Sequence, residues 1–587
     1  MSQTFDLIVI GAGWSGLYAA KYARAAGLSV CILEDREDLG GVWKFSDNPA
    51  RVTVMDNTLS SSSRHVTEAS DFAMETTSAN LFTHQEALEY LRAYARRFDL
   101  TGLIETHARV CDTEKSGDLW TVRTTDGRQF TGGRLAVCTG VHQSRRAVTG
   151  PVAGFGGHLI HAGDIKRASD LNLGPGDHVV IYGGGETAAD LVHDLAIGTE
   201  ARITWAIRGG QHFFRKVPLR PGQGPGQIDR TDIALDEYSS ALIGLVSPPD
   251  LDKPGMRHRC NTATSGSVLS YQGHGIGVWT NDIPWFRQFF NKNGHVLDHV
   301  WNGRVDPAPA VSACDGRTLT FANRETVEAT HVICCFGYQS DHGFLPAHLR
   351  DTCQAKLHRL VFHADDPSVA FFGMARPTIL SIPYMIELQC MYAQKVWDGT
   401  IQLPDPETLR AEAEAEAVEL NNVFGYERTN RNLTCPFWYT QRLLRLIGGV
   451  DKEADLLFRR FHPRRDWHGF SAVIRTSLTP LLLRLLVAEH GPEERRRMFA
   501  MLSPMPFGFR RKPDASLMGY VLSYAVALGV PRLLGLDGLY DRIARRRIAR
   551  FGRSTPLRRV GDAPTAQRSG RPAPRMPEAA QPTRTSS

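Results

Sequence analysis

A glycine-rich turn near the N-terminus has the residue types and spacing that bind a pyrophosphate. In "VIGAGWSGL", Gly11, Gly13 and Gly16 form the pattern G-x-G-x-x-G. The first glycine of this pattern makes a tight turn, the second lets the backbone approach the pyrophosphate, and the third allows close helix–strand packing. The next apolar run, "SVCILE", ends in Glu34, whose carboxylate would accept hydrogen bonds from ribose hydroxyls. These residues predict a dinucleotide site.

A second turn of the same kind lies further along the chain. In "YGGGETAAD", Gly183 and Gly185 are followed by Ala188, which gives G-x-G-x-x-A. The strand predicted after its helix, "ARITWAIRGG", ends in Arg208 rather than in an acid. A carboxylate would repel a 2′-phosphate, whereas an arginine pairs with it. The second turn therefore predicts an NADPH site; the alternative is that Arg208 is a solvated surface residue.

The elements around the two turns must position them. "FDLIVI" and "DHVVIYG" are apolar, β-branched runs typical of buried parallel strands, and "LYAAKYARAAG" and "ETAADLVHDLA" have helical spacing. The predicted fold class is α/β, with two Rossmann-like dinucleotide-binding domains and an additional C-terminal helical region. We expect the first domain to bind FAD and the second to bring the NADPH that reduces it.

The reduced flavin could pass its electrons to one of three acceptors, which define three classes of flavoprotein. A disulfide reductase passes them to a cysteine pair, an electron-transfer enzyme to another protein, and a monooxygenase to O2 and a substrate. The ten cysteines are scattered, with no Cys-x-x-Cys and no histidine cluster at metal-ligand spacing. This pattern disfavours the reductase and predicts no metal site. It is typical of reduced thiols, and because the N-terminus has no secretory signal, a cytoplasmic location is expected.

The segment between the two turns carries a further motif. In "GFGGHLIHAGD", Phe155, Gly157 and His161 form F-x-G-x-x-x-H, followed by Asp164. With this motif the chain resembles the flavin-containing monooxygenases, the class B flavoprotein monooxygenases, over about residues 5 to 400. Four other segments agree with the resemblance: "EDREDLGGVW", "SSSSRHVTEASDF", "CCFGY" and "IELQCMYAQKVWDG".

The resemblance implies an activity and a set of site residues. NADPH reduces FAD, the reduced flavin reacts with O2 to give a C4a-hydroperoxyflavin, and a nucleophilic heteroatom of a small-molecule substrate takes up one oxygen. His161 has two open roles, contact with the nicotinamide region or packing of the domain linker. The other residues implied are Ser61 as a catalytic residue and, for cofactor binding, Gly11, Gly13, Ser15, Gly16, Glu34, Gly41, Trp43, Arg64, Gly183, Gly185, Thr187, Arg208, Gly337, Tyr338 and Gln389.

The chain departs from the family pattern at informative positions. Ser60 and Ser61 stand where the family often has Thr-Asn, and Phe336 replaces the linker threonine. Ile165 follows Asp164, where the Baeyer–Villiger subfamily usually has tryptophan. We therefore expect N-hydroxylation of a small amine or amino acid, in specialised metabolism such as antibiotic biosynthesis, by resemblance to a bacterial N-oxygenase branch. S-oxygenation, a Baeyer–Villiger reaction on a ketone, and an H2O2-producing flavin reductase or oxidase stay as alternatives.

Composition and segment order predict the domain organisation. Of the 587 residues, 42% are apolar and 22% charged, which is ordinary for a soluble protein, and the formal charge of +6 includes a local arginine run that gives no support for nucleic-acid binding. Membrane contact is disfavoured, because the apolar run 515–531 is short and interrupted by glycine; the oligomeric state is left open. The predicted domains are 1–165 (FAD, first part), 166–325 (NADPH, with an insertion at about 218–300), 326–402 (FAD, second part), 403–550 (helical) and 551–587 (a disordered basic tail).

Overall fold

The protein is described by a computed structural model that covers most of the chain to residue 502. The described residues are 4–75, 79–208, 211, 213–217, 222–238, 279, 291–378, 380–424, 432–451, 453–462, 464–474, 476 and 478–502. Most of the predicted insertion, the apolar run 515–531 and the predicted tail lie outside these residues.

The first glycine turn belongs to a seven-stranded sheet. Its central strands are parallel, and its buried strand Leu7–Ile10 leads directly into the turn. The strands, in spatial order, are Leu357–His358, Phe362–His363, Val369–Phe371, Leu135–Val137, Leu7–Ile10, Val30–Leu33 and Ile104–Glu105. The strands Leu135–Val137 and Val369–Phe371 lie on either side of the second glycine turn in sequence, so distant segments of the chain complete one nucleotide-binding fold.

The second glycine turn belongs to a five-stranded sheet in which every pairing is parallel. Its strands, in spatial order, are His158–His161, His331–Cys334, His178–Tyr182, Arg202–Ala206 and Asp306–Ala308. Parallel pairing throughout is typical of a sheet covered on both faces, and His178–Tyr182 is fully buried as its apolar sequence predicts. The α/β fold class with two such sheets is confirmed.

Four smaller sheets complete the β structure. A four-stranded sheet comprises Thr4–Phe5, Gln129–Gly132, Leu119–Thr124 and Val110–Ser116, and a three-stranded sheet comprises Val311–Asp315, Thr318–Phe321 and Thr326–Glu328. The two-stranded pairs are Ser144–Arg145 with Tyr338–Gln339, and Arg376–Pro377 with Leu433–Thr434.

Helices follow both turns and fill the C-terminal part. In chain order they are α1 (Trp14–Ala25), α2 (Arg64–Thr67), α3 (His84–Arg97), α4 (Glu186–Gly198), α5 (Leu297–Trp301), α6 (Ile382–Trp397), α7 (Pro406–Phe424), α8 (Pro436–Gly448), α9 (Glu453–Arg460), α10 (Trp467–Ile474), α11 (Pro480–Val487) and α12 (Pro492–Leu502). Helix α7 begins as its sequence predicts, because the Asp405 side chain accepts hydrogen bonds from the Glu407 and Thr408 amides, both at 3.0 Å.

The C-terminal helices share a core with the first nucleotide-binding fold. Leu443 of α8 and Leu482 of α11 are fully buried in the same apolar cluster as Leu7 and Ile8 of the first sheet. The helices beyond residue 403 are therefore packed against that fold. Among the described residues, no helix is both long enough and apolar enough to span a membrane.

Candidate active site

The two glycine turns open into one cavity of about 2550 Å³. Gly11 and Gly13 line it from the first fold, and Gly183 and Gly185 line it from the second. A single space therefore reaches both predicted phosphate-binding turns, which is what two dinucleotides must share if one is to reduce the other.

The first turn has the close packing that its glycines predict. Gly11 has a φ of +106°, and a Cβ there would lie 2.7 Å from the Cys138 carbonyl oxygen. A Cβ on Gly16 would lie 1.8 Å from the Gly11 carbonyl oxygen, so only glycine lets α1 pack on the strand. Gly13 lines the cavity, with the Cα of Gly41 at 3.4 Å from the position of its missing Cβ. The bare backbone at Gly13 leaves the cradle that a pyrophosphate needs.

Glu34 stands at the end of the second strand and lines the cavity. It is 5% exposed, and its two carboxylate oxygens accept hydrogen bonds from the Ala12 amide (2.8 Å) and the Arg36 amide (3.0 Å). Burial raises the pKa of Glu34 to about 7, while the Ala12 amide opposes this shift. Each oxygen keeps a second lone pair, so the carboxylate can still accept a ribose hydroxyl.

The second turn repeats the construction of the first. Gly183 has a φ of +143°, and a Cβ there would lie 2.6 Å from the Cys335 carbonyl oxygen. Arg208 is exposed and lines the cavity just beyond the strand Arg202–Ala206. An exposed guanidinium at this point can move to pair with a 2′-phosphate. Both turns thus fit the dinucleotides expected of them: FAD at the first and NADPH at the second.

The structure separates the other predicted cofactor residues into two groups. Ser15, Gly41, Trp43, Thr187, Gly337 and Tyr338 line the cavity. Arg64 and Gln389 do not: an Arg64 guanidinium nitrogen lies 3.4 Å from the Met74 carbonyl, and the Gln389 amide accepts a hydrogen bond from Gly373 N at 3.1 Å. Because Gly373 itself lines the cavity, Gln389 stabilises the cavity wall through this hydrogen bond without contacting the cavity.

His161 lies between the two folds and lines the cavity. Its Nδ1 accepts a hydrogen bond from Gly163 N at 3.0 Å, and its ring meets the Tyr338 ring edge-on at 5.8 Å. Burial lowers the pKa of His161, so the neutral form carries its proton on Nε2. That nitrogen is buried and makes no well-aligned hydrogen bond, although the nearby Gly337 backbone favours the protonated ring. The Nε2–H group of His161 is therefore available at the cavity wall to donate a hydrogen bond to a ligand.

Ser60 and Ser61 have different surroundings. The Ser60 hydroxyl accepts a hydrogen bond from Phe82 N at 3.0 Å and is buried. The Ser61 hydroxyl lies 3.5 Å from the Glu186 carboxylate, and both residues line the cavity. Of the two serines, Ser61 is the one whose hydroxyl meets a charged group of the opposite fold.

Two half-buried carboxylates, which no sequence motif predicted, lie on the inner wall of this cavity. Glu186, the first residue of α4, accepts hydrogen bonds from Lys292 N and Asn293 Nδ2, both at 2.7 Å. Asp190, one turn further along α4, accepts a hydrogen bond from the same Asn293 amide at 2.8 Å. Burial raises the pKa of both carboxyl groups, although the charge of Lys216 opposes this. The sequence offered one signal: Glu186 directly follows the second glycine turn, where a carboxylate would repel a phosphate and is therefore unexpected.

Lys292 lies on the same wall and is 5% exposed. Its Nζ donates hydrogen bonds to the Leu380 carbonyl (2.9 Å) and the Ser62 hydroxyl (3.3 Å). Among the described residues, no carboxylate lies within 4.0 Å of this nitrogen. Lys292 lies near the end of the predicted insertion at about 218–300, where no sequence motif marks it.

Comparisons with known proteins agree with this architecture. Residues 5–220 match the family model "Flavin-binding monooxygenase-like". Over 474 residues the chain is 24% identical to a mouse (Mus musculus) dimethylaniline monooxygenase (N-oxide-forming), covering 77% of this chain and 84% of that protein. It is 25% identical over 461 residues to a 4-hydroxybenzoate brominase (decarboxylating) of Marinomonas mediterranea, covering 77% and 85%. The solved structure of S-allyl-L-cysteine S-oxygenase from Allium sativum covers 89% of this chain and 99% of its own, with 16% identity and a TM-score of 0.53.

The two joined dinucleotide-binding folds and their common cavity define a flavoprotein monooxygenase that uses FAD and NADPH. More particularly, residues 5–220 match the flavin-binding monooxygenase-like family, and about three quarters of the chain is similar in sequence to flavin-containing monooxygenases. The enzyme therefore oxidises a small-molecule substrate with O2.

Proposed function

We propose that this enzyme hydroxylates the nitrogen of a small amine or amino acid. The observation that carries the proposal is the Glu186 carboxylate, half-buried on the cavity wall and 3.5 Å from the Ser61 hydroxyl. A carboxylate in this position accepts hydrogen bonds from an ammonium group and can take its proton. Loss of that proton gives the amine the free lone pair with which nitrogen attacks an electrophilic oxygen.

The cofactors and the chain divide the work. When bound, FAD and NADPH supply the hydride, the reaction with O2 and the electrophilic oxygen. The two glycine turns hold the pyrophosphates, Arg208 pairs with the 2′-phosphate, and Glu186 takes the proton of the substrate. In the overall reaction one oxygen atom of O2 joins nitrogen and the other leaves as water, with NADPH and one proton consumed.

A direct test incubates the FAD-loaded protein with NADPH, ¹⁸O2 and panels of amines, amino acids, sulfides and ketones. Mass spectrometry then identifies products that carry one labelled oxygen, and H2O2 is measured beside NADPH consumption. We expect labelled hydroxylamines from the amine panel. Labelled product only from sulfides or ketones would assign the S-oxygenase or Baeyer–Villiger alternative. If all electrons appear as H2O2 with every panel, the protein acts as a reductase or oxidase.

A second candidate function is oxidation of a halide ion. The similarity to a 4-hydroxybenzoate brominase extends over 77% of this chain, and the buried Lys292 ammonium on the cavity wall is a group that could attract bromide. Adding bromide and 4-hydroxybenzoate to the same assay tests this candidate, which predicts a brominated aromatic product that depends on NADPH.

A further inference from the structure

Two opposite charges lie beside adjacent serines on the cavity wall. Ser61 is 3.5 Å from the Glu186 carboxylate, and Ser62 is 3.3 Å from the Lys292 ammonium. All four residues line the cavity. The acid and the cation do not pair with each other, so each can receive a group of opposite charge from a ligand that reaches both.

Within the part of the chain that the structure describes, Lys292 has no ionic partner. Its two acceptors there, the Leu380 carbonyl and the Ser62 hydroxyl, are both uncharged, and an ammonium group has three N–H donors. A buried charge without an ionic partner is costly in free energy. An anion that enters the cavity lined by Lys292 would relieve this cost.

The neighbouring carboxylates are already engaged. Asp236 accepts a hydrogen bond from Ser63 N at 2.9 Å, and Glu186 accepts from the amide of Lys292 and from Asn293. Both carboxylates favour the protonated state of Lys292 through their charge, while burial lowers its pKa. The two carboxylates thus oppose the lowering of the Lys292 pKa by burial, and neither accepts a hydrogen bond from its Nζ.

We propose that Lys292 binds the carboxylate of the substrate while Glu186 receives its amino group, so that the enzyme selects small amino acids over amines that lack a carboxylate. This assignment rests on the proposed N-hydroxylation, since it names the substrate class of that same site. The two residues come from different segments, α4 and the end of the predicted insertion, and only the folded protein places them together.

The test is a binding titration of the FAD-loaded protein without NADPH, in which the change in flavin absorption measures ligand binding. The probes are the proteinogenic amino acids, their decarboxylated amines, acetate and bromide. We expect at least one amino acid to bind saturably and its decarboxylated amine to bind at least about tenfold more weakly, as the loss of one charge-assisted hydrogen bond implies. Equal binding of acid and amine, or no binding by any amino acid, would overturn the proposal with the wild-type protein alone.

Substitution then assigns the effect to Lys292. Lys292→Met should remove the tenfold difference, and Lys292→Arg should keep most of it. Lys115→Met is the matched control, because Lys115 pairs with Asp366 and does not line the cavity. If the Lys292→Met protein still prefers the amino acid, another residue binds the carboxylate and the proposal fails. Binding of bromide but not of acetate, dependent on Lys292, would identify a halide site and overturn the proposal.

Turnover separates this proposal from the proposed function. If amines without a carboxylate are hydroxylated at nitrogen, equally by wild type and Lys292→Met, the function stands and the carboxylate site falls. If amino acids bind in a Lys292-dependent manner but give no N-oxygenated product with NADPH and O2, the site stands and N-hydroxylation falls.

Discussion

The Ser61 hydroxyl and the Glu186 carboxylate lie 3.5 Å apart and join the two nucleotide-binding folds across the cavity. If Glu186 takes the substrate proton, its ionised form is the active one. Burial raises its pKa above the ordinary range, as does the nearby Asp190, whereas Lys216 and Lys292 oppose the shift. We therefore expect kcat to rise as pH rises through this raised pKa.

Glu186→Gln keeps the size of the side chain and removes the base. We expect it to lower kcat by about 100-fold, the usual contribution of a general base, and to abolish the rise with pH. The measurement is a pH profile of hydroxylamine formation, and FAD content and melting temperature are the controls. A profile in the variant that parallels the wild-type profile would exclude Glu186 as the base.

Two matched glycine substitutions should empty the two cofactor sites separately. Gly13 and Gly185 have ordinary φ angles of −80° and −83°, and an added Cβ meets nothing closer than 3.4 Å. Each methyl group would nevertheless project toward the cavity that both residues line. We expect the Gly13→Ala protein to fold but to purify with little bound flavin. We expect the Gly185→Ala protein to retain FAD, but NADPH should no longer reduce that flavin. Flavin absorbance and anaerobic reduction rates check this; a Gly185→Ala protein without flavin would contradict it.

Arg208 should determine the preference for NADPH over NADH. Removing one charge-assisted hydrogen bond to the 2′-phosphate costs about 1.5–3 kcal/mol, so Arg208→Ala should raise the KM for NADPH by about tenfold or more and leave that for NADH unchanged. Arg202→Ala is the control, because Arg202 is an exposed arginine that begins the strand preceding Arg208 and pairs with Asp306. An equal effect on both coenzymes would show that Arg208 does not read the phosphate.

The glycine turns and Arg208 could be predicted because their roles depend on local geometry. Strand, turn and helix are consecutive in sequence, so the spacing of Gly11, Gly13 and Gly16 already contains the requirement for close approach. Lys292 and Glu186 could not be paired in this way, because more than a hundred residues of chain separate them and only tertiary packing brings them to one wall. Gln389 shows that a recognisable segment can also mislead. The resemblance implied that Gln389 binds the cofactor, yet its side chain accepts a hydrogen bond from Gly373 N and does not line the cavity.

His161 has two possible roles, contact with the nicotinamide region and packing of the domain linker, and the use of its Nε2–H donor distinguishes them. Because Nδ1 accepts from Gly163 N, the neutral ring offers an N–H donor at Nε2, and this donor makes no well-aligned hydrogen bond within the protein. If the donor serves the nicotinamide region, His161→Leu should weaken NADP⁺ binding by about tenfold, and His161→Gln, which keeps an N–H donor, should weaken it less. Titration of the FAD-loaded variants with NADP⁺ measures this. If both variants bind NADP⁺ normally and differ from wild type only by a lower melting temperature, His161 packs the domain linker instead.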